Sequence, residues 1–158
     1  MSRVYQQQPT ASHGMVVAPG GGGNRNAKNM PVDADGREWS NGMCSCMGDC
    51  GTCMMATFVP CIVYGQNKHR YEHLNSHGTP HPTGGPMCSG SCFTHGLATL
   101  CGVNFIFQMI NRGHVRRRYN IKGSGCGDCC AALWCTPCQL TQESRELELE
   151  EESFAQRY

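Results

Sequence analysis

The most apolar segment of the chain runs through Leu97, Leu100, Cys101, Phe105, Phe107, Met109 and Ile110, and it leads into a basic block of Arg112, Arg116, Arg117, Arg118 and Lys122. This pattern predicts one helix over residues 90–119, with positive charge at its C-terminal end complementing the helix dipole. Upstream, the apolar residues 54–59 meet Pro60, whose missing N–H suits a first helical turn. A helix is therefore expected over 60–76, stopped by Gly78 and Pro80, with Lys68, Arg70 and Glu72 turned to water. Three prolines and three glycines make residues 79–91 a loop. Asn120-Ile-Lys-Gly-Ser-Gly reads as a turn. The last helix is expected to begin near Asp128 as its N-cap, to kink at Pro137, and to fray beyond Gln139, where the chain becomes polar and acidic. The fold class is mainly α, a small cysteine-rich helical domain with thiol-rich loops and disordered tails.

The flanks differ in character from this centre. Residues 1–37 contain Gln6-Gln7-Gln8, the glycine run from Gly20 to Gly23, and few large apolar side chains, which is the composition of a disordered tail. Trp39 is the first large side chain beyond it. The folded domain is accordingly placed at 38–149, with residues 150–158 as an acidic C-terminal tail. Half of the twelve acidic residues (Glu143, Glu146, Glu148, Glu150, Glu151 and Glu152) crowd the C-terminus. They and the basic block are expected either to attract each other or to bind separate partners. A net charge of +1 supplies no global field for nucleic acid, and none is expected as a partner.

Does the apolar segment cross a membrane? At 1.5 Å per residue, the fourteen residues from Leu97 to Ile110 reach about 21 Å, short of the roughly 30 Å hydrocarbon core. Extended over 89–111, the run carries no formal charge and is long enough to serve as a peripheral or integral membrane segment. His95, Asn104 and Gln108 suit a bundle interior better than lipid. Cys61 and Cys101 adjoin apolar runs and are candidates for acylation.

Thirteen cysteines, about eight per cent of the chain, approach the level of disulfide scaffolds. The polar, Gln-rich start lacks a signal-peptide core, however, so a reducing cytoplasmic setting is expected, and a secreted disulfide-rich domain is disfavoured. Five cysteines fall between Cys126 and Cys138, and Cys44, Cys46, Cys50 and Cys53 form a looser group. An internal echo links them: Cys53-x6-Pro60-Cys61 and Cys130-x6-Pro137-Cys138 share one spacing. Two such units packed together would gather Cys50, Cys53, Cys61, Cys126, Cys129, Cys130, Cys135 and Cys138 as metal ligands. Thiolates select zinc or copper(I), and a structural zinc can contribute about 10 kcal/mol to a small fold. His69, His73 and His77 recur every four residues, a spacing that puts chelating imidazoles on one helix face. Cys50-x-x-Cys53 and Cys135-x-x-Cys138 also fit thiol–disulfide exchange, but no βαβ context surrounds them, and no enzyme activity is expected.

Met47-Gly-Asp-Cys-Gly-Thr-Cys53 with Pro60-Cys61, Arg117-Arg-Tyr-Asn-Ile-Lys-Gly-Ser-Gly-Cys126, Asp128-Cys-Cys130, Cys135-x-x-Cys138-Gln-Leu-Thr-Gln and Arg145-Glu-Leu147 together resemble the PLAC8 family. Met54 and Val59 stand at two cysteine positions of its Cys-Cys-x4-Cys-Pro-Cys signature, and the downstream copy carries one inserted residue. The resemblance implies a cysteine-rich, non-enzymatic protein at a membrane, the plasma membrane by preference, acting in heavy-metal (zinc or cadmium) homeostasis or resistance. A soluble, zinc-stapled adaptor regulating cell number, with a homo-oligomer or another protein as partner, is the second reading, and a thiol–disulfide oxidoreductase the third.

Overall fold

The structure is a computed structural model that describes residues 23–155; the first 22 residues of the expected tail lie outside them. Two short strands, β1 (Val32–Asp33) and β2 (Gly36–Arg37), pair antiparallel. Six helices follow: α1 (Cys50–Phe58), α2 (Pro60–His77), α3 (Gly90–Leu100), α4 (Asn104–Tyr119), α5 (Gly125–Trp134) and α6 (Thr136–Ala155). A 3-10 segment, Met43–Asp49, leads into α1. The mainly helical class is as expected, and the boundaries show where local chemistry decided otherwise.

The helices come as three bent pairs. The chain bends at Val59, ahead of Pro60 at the start of α2, and the stretch Met43–Phe58 that ends in α1 meets α2 at 117°. Val59 takes φ −137° and ψ 63° and donates its N–H to the Met55 carbonyl. The α5–α6 pair turns at Cys135, which takes φ −147° and ψ 72° and donates to Ala131. The echo in the sequence is therefore a repeated elbow with nearly the same dihedrals. The chain breaks at Cys135, ahead of the kink expected at Pro137. The single helix expected over 90–119 is two helices. Gly102, at φ 71°, donates to the Thr99 carbonyl at 3.1 Å, and Val103 donates to Ala98 at 2.9 Å. These two bonds form a Schellman stop, which needs a left-handed residue where glycine carries no penalty.

Contacts along the pairs put all three elbows at one end. A Cβ on Gly65 would meet Cys92 Cβ at 3.1 Å, and one on Gly96 would meet Cys61 Cβ at 3.8 Å, so α2 and α3 run antiparallel. Ala56, Val63, Tyr64 and Leu140, with Phe107 against them, join α1, α2, α4 and α6 just inside the elbows. The second apolar cluster, Leu74, Val115, Tyr119, Ile121 and Leu147, lies at the far end with Trp39, Tyr71 and Phe154.

The expected fraying beyond Gln139 is overturned. α6 is the central helix, and Leu140, Glu143, Leu147 and Glu150, all at 0% exposure, share its buried face. The acids are tolerated because arginines from other elements meet them. Arg37 pairs with Glu146 and also donates to the Tyr119 and Arg25 carbonyls and to Ser40 Oγ. Glu150 accepts from Arg118 at 2.7 Å and from the Tyr119 hydroxyl at 2.6 Å. Arg70, expected in water, instead bonds Glu151. Asp128 is no N-cap: Ser124 caps α5, and Asp128 lies buried against Arg112 and Arg116 at 3.2 and 2.7 Å. The basic block and the acidic run thus attract each other, Arg117 alone among those arginines being exposed.

Candidate functional site

Cysteine spacing on short helices determines which thiols can meet. Cys46 on the 3-10 segment brings its Sγ to 3.7 Å from the Sγ of Cys138 in the first turn of α6. Cys53 on α1 faces the same place; burial, then a hydrogen bond with Cys46, pushes its thiol pKa upward. Cys135 and Cys138 are joined as a disulfide, where free thiolates were expected. The physical reason is the two-residue spacing over a helix start. It sets their Cα atoms 5.3 Å apart, which suits a covalent bond as well as a shared ion. Four sulfurs, from Cys46, Cys53, Cys135 and Cys138, therefore gather where α1 meets the α5–α6 elbow.

The eight cysteines expected to converge divide into three places. Cys53, Cys135 and Cys138 belong to this group, and exposed Cys50 stands beside it, its thiol donating to the Met47 carbonyl at 3.0 Å. Cys61 is separate. It pairs with buried Cys92 across the α2–α3 contact, and burial, then this pairing, raises the Cys92 pKa. Cys126, Cys129 and Cys130 form a third group on the first turns of α5, where Cys126 and then burial raise the Cys130 pKa. Among the described residues no three histidine, cysteine or carboxylate side chains stand in metal-ligating geometry. Cys46, placed in the looser group with Cys44, Cys50 and Cys53 but left out of the eight, and Cys92 are the members that the echo missed. The echo directs attention to cysteines flanking Pro60 and Pro137, whereas Cys46 and Cys92 arrive from the 3-10 segment and α3.

The histidine row is only partly realised. His73 and His77 stack with centroids 4.3 Å apart, and His81 from the loop meets His73 edge-on at 5.0 Å. Rings packed face to face do not aim their nitrogens at one point.

The elbow end has a distinct surface. Large apolar side chains stand exposed at each turn: Phe58 (74%) on the first, Leu100 (85%) on the second and Trp134 (88%) on the third. No Asp, Glu, Lys or Arg occurs in residues 50–67, 73–111 or 129–142, the three stretches that contain the elbows. No single helix among the described residues is long and apolar enough to cross a membrane; only the bent segment Met43–Phe58 with Pro60–His77 passes on length and composition. The integral segment expected at 89–111 is interrupted by the Gly102 break.

A family model described as the PLAC8 family matches residues 39–146. The chain is 36% identical over 110 residues to Protein PLANT CADMIUM RESISTANCE 2 of Arabidopsis thaliana, covering 70% of this chain and 66% of that protein. It is 32% identical over 111 residues to Cell number regulator 11 of Zea mays, covering 70% and 63%. With Cell number regulator 7 of Zea mays it is 30% identical over 159 residues, covering 91% and 78%. The chain thus spans less than two thirds of the first two relatives. No solved structure matches.

Proposed function

The chain belongs to the PLAC8 family, and from that footing we propose that it is a non-enzymatic membrane-surface protein that seats its elbow end in a bilayer and holds a soft metal ion at the adjacent sulfur group, in heavy-metal homeostasis. The observation that carries this reading is the convergence of three uncharged elbows, each tipped by an exposed apolar side chain. Helix elbows can enter the headgroup and upper acyl region without spanning, and their apolar tips contribute binding in proportion to the area buried. Trp134 suits the interface because its indole is amphipathic. The charged far end remains in water. The setting is the cytoplasmic face of the plasma membrane, where reductants keep thiols available.

The sulfur group supports the metal half of the reading. A tetrahedral zinc with Zn–S bonds of about 2.3 Å places its sulfurs about 3.8 Å apart. Cys46 and Cys138 already stand at 3.7 Å. Loading requires reduction of the Cys135–Cys138 bond by a dithiol, which supplies two electrons and two protons and is itself oxidised to a disulfide; the four thiols then present would release their protons to solvent as the ion binds. Cadmium, softer than zinc, fits the same donors. The name of the Arabidopsis relative accords with this choice of ion.

The test uses the full reduced chain with phosphatidylcholine vesicles. Flotation of the wild type is expected, with loss in a Phe58→Ser/Leu100→Ser/Trp134→Ser variant that keeps its helical spectrum. Wild-type protein that stays in the aqueous layer would remove the membrane claim. In the same preparation, stoichiometric zinc displaced by cadmium is expected to vanish in Cys46→Ser and Cys53→Ser and to persist in Cys130→Ser. Equal metal content in all of them would refute the four-sulfur site.

A further inference from the structure

An open pocket of about 300 Å³ lies between α2, α3 and α4, lined by Tyr64, Lys68, Gly90, Ser91, Thr94 and Phe107. No carboxylate lines it. Its depth in the molecule follows from α2. At 1.5 Å per residue, Lys68 stands about 12 Å along that helix from Pro60 at the elbow. It is also the first charged side chain that α2 carries, since residues 50–67 hold no Asp, Glu, Lys or Arg. The pocket therefore opens where the apolar end gives way to the charged remainder.

Donors from two helices line this opening. α3 is 11 residues long, and its first turn is only partly capped: Ser89 Oγ accepts from Cys92 N at 3.1 Å and the Ser89 carbonyl from Phe93 N at 2.9 Å. The N–H groups of Gly90 and Ser91 are left for another acceptor. A Cβ on Gly90 would meet nothing within 4 Å, so this end of the helix is open to approach. From α2, the Lys68 ammonium has Glu72 as its anionic neighbour, 3.9 Å away and 54% exposed, a pairing of little strength in water.

Tyr64 supplies an independent sign of a ligand. It is 4% exposed, and its ring stacks on His95 with centroids 4.4 Å apart. His95, with Gln108, Gln139 and Glu143, forms a layer of fully buried polar side chains between the two apolar clusters, which fixes the ring from behind. The Tyr64 hydroxyl meets no acceptor among the described residues, and the pocket it lines is where one can reach it. A buried hydroxyl without an acceptor is costly, and a ligand oxygen relieves it.

We propose that this pocket binds a phosphate monoester, presented by the headgroup of an anionic phospholipid.

A phosphate monoester brings three acceptor oxygens and a charge of about −1.5 to −2, which match the open helix N-terminus, the ammonium and the phenol. Phe107 forms an apolar wall for the glycerol and the start of the acyl chains. Burial, then the charge of Glu143, pushes Tyr64 up to about 12, so the phenol keeps the proton it donates. The lipid as source rests on the membrane reading, because seating the elbows brings the pocket to the headgroup layer. The pocket's chemistry does not rest on it.

The test uses the full reduced chain in two arms. In flotation, replacing a minor share of phosphatidylcholine by phosphatidate is expected to tighten binding about tenfold, the effect of one charge-assisted hydrogen bond. Lys68→Gln and Tyr64→Phe should lose this gain, and Arg117→Gln, at an exposed arginine outside the pocket, should keep it. Phosphatidylserine at equal surface charge carries a diester and should give a smaller gain; an equal one would reduce the effect to surface charge and overturn the site. In the second arm, without lipid, glycerol 3-phosphate is expected to shift the amide resonances of Gly90 and Ser91 saturably in the wild type and not in Lys68→Gln. Inorganic phosphate acting equally well at the same concentration would overturn the lipid assignment. Flotation on phosphatidylcholine with no gain from phosphatidate and no shifts in water would overturn the site and leave the membrane reading standing. Shifts in water without flotation on either lipid would support the pocket and remove both the lipid source and the membrane reading.

Discussion

The two ends of this helix bundle are built by opposite means from the same six helices. At the elbow end, Phe58, Leu100 and Trp134 face outward and no ionic side chain is near in sequence. At the far end, buried acids and arginines lock β2, α4 and α6 together through Arg37–Glu146 and Arg118–Glu150. α6 runs through both, apolar and sulfur-bearing at its start and acidic at its finish. The contrast separates fold stability from surface function. One end should be intolerant of change and indifferent to lipid, and the other the reverse.

The largest effect is expected where that division is attacked at the far end. Glu146→Ala leaves the Arg37 guanidinium buried with its charge unmatched, and breaking a buried pair in this way costs about 3–5 kcal/mol. Chemical denaturation measures it. Arg37→Met/Glu146→Met, which removes both charges, should recover most of the loss. A single variant that loses under about 1 kcal/mol would mean that water reaches the pair and that the far end is not the stabilising one.

The layer between the ends sharpens the comparison through pH. Glu143 is raised from the ordinary 4.5 to about 7, so between those values the folded chain holds a proton that the unfolded chain has released. Its contribution to stability is full below pH 4.5 and is lost as pH rises to 7. His95, lowered from 6.5 to about 4, acts in the other direction: the unfolded imidazole takes a proton first, so stability falls as pH drops from 6.5 to 4. The two opposing slopes overlap, and the wild type should vary little with pH there. Glu143→Gln should become less stable on acidification and His95→Gln less stable on alkalinisation, both read from denaturant midpoints at pH 4.5 and 6.5. Parallel slopes in the two variants would contradict the assignment.

How far was this division legible in the chain itself? The α1–α2 elbow was, because Pro60 cannot continue a helix bonded behind it, and the echo in 130–138 pointed to a second copy. The α3–α4 break was not. Gly102 lies inside an apolar run whose composition favours continuity, and only the bonds from Gly102 and Val103 back to Thr99 and Ala98 show the chain stopping. Burial of α6 was hidden for a different reason. Glu143, Glu146 and Glu150 recur at helical spacing beside Leu140 and Leu147, yet composition alone ranks acids as exposed. Their partners Arg37, Arg112 and Arg118 stand far away in sequence, and pairing at that distance leaves no local pattern. The sulfur group was half legible, since the cysteines near each elbow could be picked out, whereas Cys46 reaches Cys138 across 92 positions.

Two glycines provide a smaller and cleaner contrast between the ends. Gly102, at φ 71°, has open space where a Cβ would stand, so Gly102→Ala carries only the left-handed backbone cost of about 1–2 kcal/mol. Gly102→Asn should recover part of it. Gly36, at φ 117°, would place a Cβ 2.5 Å from the Asn120 carbonyl oxygen, and Gly36→Ala must shift the strand that carries Arg37. Thermal melts should rank Gly36→Ala below Gly102→Ala. The reverse order would show that the elbow, and not the β2–α4 junction, is the less forgiving site.

The smallest effect on stability is expected from the residues that matter most for the membrane reading. Leu100→Ser and Trp134→Ser change side chains that are 85% and 88% exposed, and substitutions at such positions usually stay within about 0.5 kcal/mol. If anything, solubility in the absence of lipid should improve, because exposed apolar patches favour association. Each change should nevertheless weaken flotation with phosphatidylcholine vesicles, and by a similar factor, since each removes one of three comparable apolar tips. A variant that melts several degrees lower while floating as well as the wild type would place that residue against protein and not lipid. Unchanged melting with reduced flotation is the pattern required of an end whose apolar residues were never part of the core.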